Sequence, residues 1–180
     1  MRRFLSLFFS FGLFGGCASS DSDDSGGTAP ADPRRAVITN IAALGDDIYN
    51  ANWVGVTCGI ANKTTTCPAG GSVVISGEYA CPTVNGTQVV NMNFTYDMTD
   101  CAIIRNSLTL KMSGKMTHAG SSSSASQTIN YQSIGPMTIV GTGDPYVPFN
   151  ESCEFAVTSR SSSASTTATV NGTLCGESLP

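Results

Sequence analysis

Charge is scarce in this chain: Asp, Glu, Lys and Arg make up 12% of 180 residues, against roughly 25% in ordinary soluble domains. Ser, Thr and Asn fill the polar positions instead. There is one histidine, His118, and one tryptophan, Trp53. A hydrolytic triad needs a base held beside its nucleophile, and a single His leaves little room for one. The closest cysteines, Cys58 and Cys67, lie far wider apart than the two-to-four-residue spacing of zinc ligands, so metal binding through cysteine pairs is excluded. Gly141-Thr142-Gly143 is too short for a phosphate-binding loop and no helix signal follows it. No cofactor motif, metal set or catalytic residue can be nominated. No apolar run reaches the 20 or so residues of a membrane-spanning helix.

A short apolar run is present at the start. Met1-Arg2-Arg3 is a basic opening, residues 4–14 carry no charge, and Gly15-Gly16 precede Cys17. Basic start, short apolar stretch and small residues describe a secretory signal. The segment "LFGGC" resembles the lipobox of bacterial lipoproteins, departing from it where Phe14 stands in a position that the family fills with Leu. The resemblance covers the first 17 residues only. It implies that residues 1–16 are removed and that Cys17 becomes a lipidated N-terminus. Two or more acyl chains anchor stably where one is marginal. Residues 17–33 are rich in Ser, Asp, Gly, Ala and Pro, a composition that cannot bury a core, and read as a flexible acidic tether. Ala18 after the cysteine resembles an outer-membrane sorting signal. The expected address is the bacterial cell envelope, with the membrane reached through lipid on Cys17.

Without the signal the chain keeps 7 basic against 13 acidic residues, a net charge of -6. That excludes nucleic acid, which is bound through clustered Lys and Arg. Six cysteines remain: Cys58, Cys67, Cys81, Cys101, Cys153 and Cys175. An even count in an exported chain reads as three disulfides.

Residues 34–180 read as one domain, mainly β with an N-terminal helix: an antiparallel meander of six or seven strands, with a sandwich as the alternative. Asp32-Pro33 is a helix start, and Val37, Ile41, Leu44 and Ile48 follow at helical spacing. The helix is expected over 33–49, with Gly45 as a weak point. From residue 71 the period becomes two. Val73, Ile75, Gly77 and Tyr79 share a face. So do Val90, Met92, Phe94, Tyr96 and Met98 in a second strand, and Leu108, Leu110, Met112, Gly114 and Met116 in a third, with polar residues alternating on the other face. Weaker strands are expected at 127–133, 137–140, 153–159 and 167–174, with serine-rich hairpin loops at 121–124 and 161–165.

Asn85-Gly86 is a strong two-residue turn signal, and a turn centred there pairs Tyr79 with Met92, Gly77 with Phe94, Ile75 with Tyr96 and Val73 with Met98. A slip of one residue would break every apolar pair. The same register carries Cys101 to the hairpin end where Cys67 lies, while Cys81 sits at the turn end. Disulfide Cα atoms lie within about 7 Å, which favours Cys67–Cys101. Cys153–Cys175 would close the last hairpin, given a bulge near Gly172 to correct its parity. Cys58 is left for Cys81.

Chemistry-bearing residues are few. His118, where the third strand runs into a serine loop, reads as an exposed hairpin histidine. Asp46-Asp47 reads as helix surface. A carboxylate-dependent hydrolase would need Asp97, Asp100 or Asp144 to converge in a cleft. The loop over 141–151, "GTGDPYVPFNE", offers more: Asp144, Tyr146, Phe149 and Asn150 mix aromatic faces with hydrogen-bonding groups, and loops on a rigid sheet collect binding residues. With Trp53 it is a candidate sugar site; the competing reading packs Tyr146 and Phe149 on the sheet edge and Trp53 between helix and sheet. The expected function is therefore a lipid-anchored envelope protein whose β-domain binds a glycan or protein, or has a structural role. The alternatives are a carbohydrate-binding module and a hydrolase.

Overall fold

A computed structural model describes residues 33–53, 58–165 and 168–179. The signal-like segment, Cys17, the tether up to residue 32 and the Asp32 cap lie outside the described residues.

Among the described residues one helix, α1 (Arg34–Trp53), precedes twelve strands. Val37 N–H donates to Pro33 O at 2.8 Å, so proline opens the helix without losing a donor that the helix needs. The helix runs one turn beyond the expected end, because Trp53 continues its buried stripe with Val37, Ile38, Ile41, Leu44 and Ile48.

The strands are β1 (Gly59–Thr66), β2 (Ser72–Ala80), β3 (Thr83–Val84), β4 (Thr87–Gln88), β5 (Val90–Arg105), β6 (Leu108–Ser122), β7 (Ser126–Ser133), β8 (Met137–Thr142), β9 (Phe149–Cys153), β10 (Phe155–Ser162), β11 (Thr169–Leu174) and β12 (Glu177–Leu179). All pairings are antiparallel. β7 and β8 both lie along β6, pairing with its second and first halves. They are one long strand broken at 134–136. β9 and β10 are likewise one strand broken at Glu154, since β9 continues on β8 while β10 continues on β7. The sheet is thus a meander of eight positions in chain order, with the small β3–β4 hairpin standing off the turn between β2 and β5.

The register around Asn85-Gly86 is the expected one: Tyr79 faces Met92, Gly77 faces Phe94, Ile75 faces Tyr96 and Val73 faces Met98. Asn85 and Gly86 both have positive φ, 50° and 77°, as a type I′ turn requires. The disulfides are Cys58–Cys81, Cys67–Cys101 and Cys153–Cys175, with Cα separations of 5.9, 5.3 and 5.0 Å. The expected bulge at Gly172 is absent: β10 and β11 pair without a break from Phe155–Leu174 to Arg160–Thr169. Parity is corrected instead by Cys175, which leaves the strand with φ 54° and donates its N–H to Glu154 O.

The core lies between α1 and the inner face of the sheet. The helix packs against β5, β6, β7, β10 and β11. One row across the sheet runs Ala61, Gly77, Phe94, His118, Tyr131, Val157, Gly172 and Leu179. Large rings occupy its middle and glycines flank them. Gly77 (φ 139°) presses on the backbone of Asn93, where a Cβ would collide with a carbonyl oxygen. The outer face carries Ser, Thr and Asn, with Asp97 and Lys115 paired at 3.3 Å. No helix among the described residues is long and apolar enough to cross a membrane.

Candidate functional site

The 141–151 loop is shorter than its sequence suggests. Residues 141–142 finish β8 and residues 149–151 begin β9, which leaves 143–148 as the connection. Pro145 and Pro148 mask the strand in the sequence, but Phe149 is 4% exposed and belongs to the core. Arg34 lies over its ring at 5.9 Å. Trp53 is equally enclosed, its ring 4.8 Å from Phe94. Neither aromatic is available to a ligand, because the sheet's inner face uses both to cover itself against α1. Tyr146 is half-buried, while Asp144 and Asn150 are exposed. Of the five candidate ligand residues, Tyr146 lines a cleft.

That cleft, about 300 Å³, lies between the first turns of α1, the β5–β6 turn and the β8–β9 connection, and is lined by Arg35, Ala36, Thr39, Asn40, Asn106 and Tyr146. Asn40 is 2% exposed, and its Nδ2 has no hydrogen-bond partner. Thr39 Oγ1 donates to Arg35 O at 3.0 Å. A second depression lies against the other end of α1, lined by Asp47, Asn50, Asn52, Thr66 and Pro68 among others.

His118 and Asp46, expected at the surface, lie inside the fold. His118 is fully buried. It shares the inward parity of Leu110, Met112 and Met116, and its imidazole closes an aromatic cluster. Ring centroids of Tyr131, Tyr96, Tyr49 and Phe94 lie 4.8, 5.4, 5.8 and 6.0 Å away. Nδ1 shares a 2.8 Å hydrogen bond with the Tyr96 hydroxyl, and Nε2 has no partner. Burial holds its pKa down at about 3. A neutral base sealed among rings cannot meet a substrate from solvent.

Asp46 is not helix surface either. It accepts a 2.6 Å hydrogen bond from the Tyr131 hydroxyl. Burial pushes its pKa up to about 6, and the neighbouring Asp47 adds to that, while the Tyr131 bond and Arg105 oppose it. Tyr131 and Tyr96 are raised well above the ordinary phenol range, chiefly by burial. Gly45 makes the contact with Tyr131 feasible, since a Cβ there would strike the ring; the glycine that looked like a weakness in the helix is the seat of that tyrosine. Asp47 takes a forked pair of hydrogen bonds from Arg105 at 2.8 and 2.9 Å.

The carboxylates that a hydrolase would need are not gathered in a cleft. Asp97 faces Lys115 and Asp100 faces Lys111 at 3.9 Å on the sheet, and Asp144 lies in the exposed connection. Among the described residues Glu151, Cys153 and Cys175 come close enough together to hold a metal. The two sulfurs are bonded to each other and Glu151 faces Arg34 at 3.6 Å, which leaves a poor donor set. Compared with known protein families, curated proteins and solved structures, the chain matches none.

Proposed function

We propose that this chain is a lipid-anchored protein of the bacterial cell envelope, tethered through Cys17 and carrying a non-catalytic β-domain with a binding or structural role. The observation that carries the reading is the cysteine pairing. Seven cysteines are present, and three disulfides use six of them. The odd one is Cys17, which stands behind Gly15-Gly16 at the end of an uncharged run. An odd cysteine in an exported chain calls for another use, and thioether lipidation is the use that its flanks fit. The non-catalytic part draws support from the engagement of the chemically capable groups. His118 is enclosed, Asp46 is bonded to Tyr131, and Asp47, Asp97 and Asp100 face cations.

The test is labelling of cells with radiolabelled palmitate, comparing wild type with Cys17→Ala, together with protease treatment of intact cells. Label in the wild type and none in the variant is expected. Absence of label in both would overturn the anchor. Release of the domain by external protease would put it on the cell surface, and protection would put it on the periplasmic side.

A further inference from the structure

We infer that the cleft between α1, the β5–β6 turn and the β8–β9 connection binds a small acidic sugar, its carboxylate on Arg35 and its ring against Tyr146. The inference rests on the binding half of the proposed function and is independent of the anchor on Cys17.

The first ground is a contrast between adjacent arginines. Arg34 is engaged by Glu151 at 3.6 Å and Glu177 at 3.2 Å. Arg35, one residue on, is exposed at the cleft and forms no ion pair with a described residue. None of the six lining residues is acidic. A guanidinium fork that no described carboxylate engages is a local place for an anion. Arg presents a rigid fork that matches a carboxylate.

The second ground is Asn40. It forms part of the cleft wall, its residue is 98% enclosed, and its Nδ2 donates to nothing. Buried polar groups are nearly always satisfied, and an exception needs a partner from outside the chain. An acceptor oxygen on a ligand supplies one. The Asn106 amide can both donate and accept, and the Thr39 hydroxyl, whose proton goes to Arg35 O, can still accept, which suits ligand hydroxyl groups. Tyr146 adds an aromatic face with a polar tip. A cation, a buried donor, one mixed donor–acceptor, one acceptor and one ring describe a ligand with a carboxylate, several hydroxyls and an apolar C–H face. The volume of about 300 Å³ is at the small end of ligand sites, room for one or two sugar rings. The sugar reading thus stands on Tyr146 and these donors and not on a rim of three aromatics.

The test is a titration of the isotopically labelled full chain in detergent micelles, following side-chain amide signals by NMR. The probes are galacturonate, galactose, acetate and N-acetylglycine. Galacturonate is expected to move the Asn40 and Asn106 amide signals, with galactose and acetate each binding at least tenfold more weakly. Arg35→Gln and Tyr146→Ala, both at accessible positions, are each expected to lower galacturonate affinity, the former about tenfold or more through loss of a charge-assisted pair. An unmoved Asn40 signal would overturn the site. Equal binding of galactose, or an unchanged affinity in Arg35→Gln, would overturn the role of the carboxylate. Equal or tighter binding of acetate or N-acetylglycine would overturn the sugar. Failure in any of these leaves palmitate labelling of Cys17 unaffected, and failure of labelling leaves the cleft unaffected.

Discussion

Asp46 and His118 are coupled to stability with opposite signs, and Asp46→Asn separates them. His118 titrates near 3 when folded against an ordinary 6.5. Between those values the unfolded chain holds a proton that the folded one refuses. Stability is therefore present above pH 6.5 and is lost as pH falls toward 3, by about 1.4 kcal/mol per pH unit and about 5 kcal/mol in full. Asp46 is raised to about 6 from 3.8. Between those values the folded chain holds the proton, so its contribution is present below 3.8 and is lost as pH rises to 6, about 3 kcal/mol in full. From pH 6 down to 3.8 the two slopes cancel. In Asp46→Asn the acceptor for Tyr131 is kept and the titration is removed. The histidine slope then stands alone over that window. The assay is urea unfolding between pH 3 and 8 with disulfides intact, read by fluorescence of Trp53, the one tryptophan, buried at 4.8 Å from Phe94. The stability difference between variant and wild type should change by about 3 kcal/mol between pH 4 and pH 7, in the variant's favour at the higher pH. All other titrations are common to both proteins and drop out. A difference that stays constant across pH would refute the assignment of Asp46.

Gly45→Ala should destabilise the fold by about 1–3 kcal/mol by overpacking, measured by urea unfolding, where an exposed helix glycine would instead gain about 1 kcal/mol from alanine. Phe149→Ala should cost about 3–5 kcal/mol as a core truncation, while Tyr146→Ala should cost about 1 kcal/mol; equal losses would mean that the two aromatics are not divided between core and cleft. Replacing Cys153 and Cys175 together with Ala should lower stability by about 2–4 kcal/mol, and alkylation of the unreduced wild-type domain should find no free thiol among its six cysteines.

The hairpin of β2 and β5 was legible to the residue because two local signals agree there. The period of two and the Asn85-Gly86 turn both depend on near neighbours. β1 was not legible, because its inward positions are Ala61, Lys63 and Thr65 while Ile60 points outward, 89% exposed. Its apolar pattern is inverted, and only its partner strand defines it. β12 is three residues long and carries too little pattern to read. His118 did carry a signal, since it continues the inward set of β6 two residues beyond Met116. A polar residue type outweighed a parity that should have decided its place. The cleft joins residues 35–40, 106 and 146, and only the Tyr146 loop announced itself. Asn40 and Asn106 gain their meaning from a meander that brings the β5–β6 turn and the β8–β9 connection over the start of α1.

An open eight-position meander has free edges, and a free edge pairs with any strand that reaches it. This chain limits that at each edge by different means. On β1 the inward Lys63 stands opposite Ile75, so a second copy extending the sheet there would have to bring its apolar layer against an ammonium group. The same strand is held at both ends, by Cys58 to Cys81 and by Cys67 to Cys101, and cannot peel away to expose β2. At the far side β12 offers three residues, too few for stable addition. The remaining gap lies between β9 and β12, and there Arg34 reaches from the helix to Glu151 on one and Glu177 on the other. On β1 and at the β9–β12 gap the device is a charge or a disulfide, and on β12 it is the shortness of the strand. Other charges lie on the outer face of the central strands, where Asp97 faces Lys115 and Asp100 faces Lys111; what sets the edges apart is that their charges stand where another strand would have to pair.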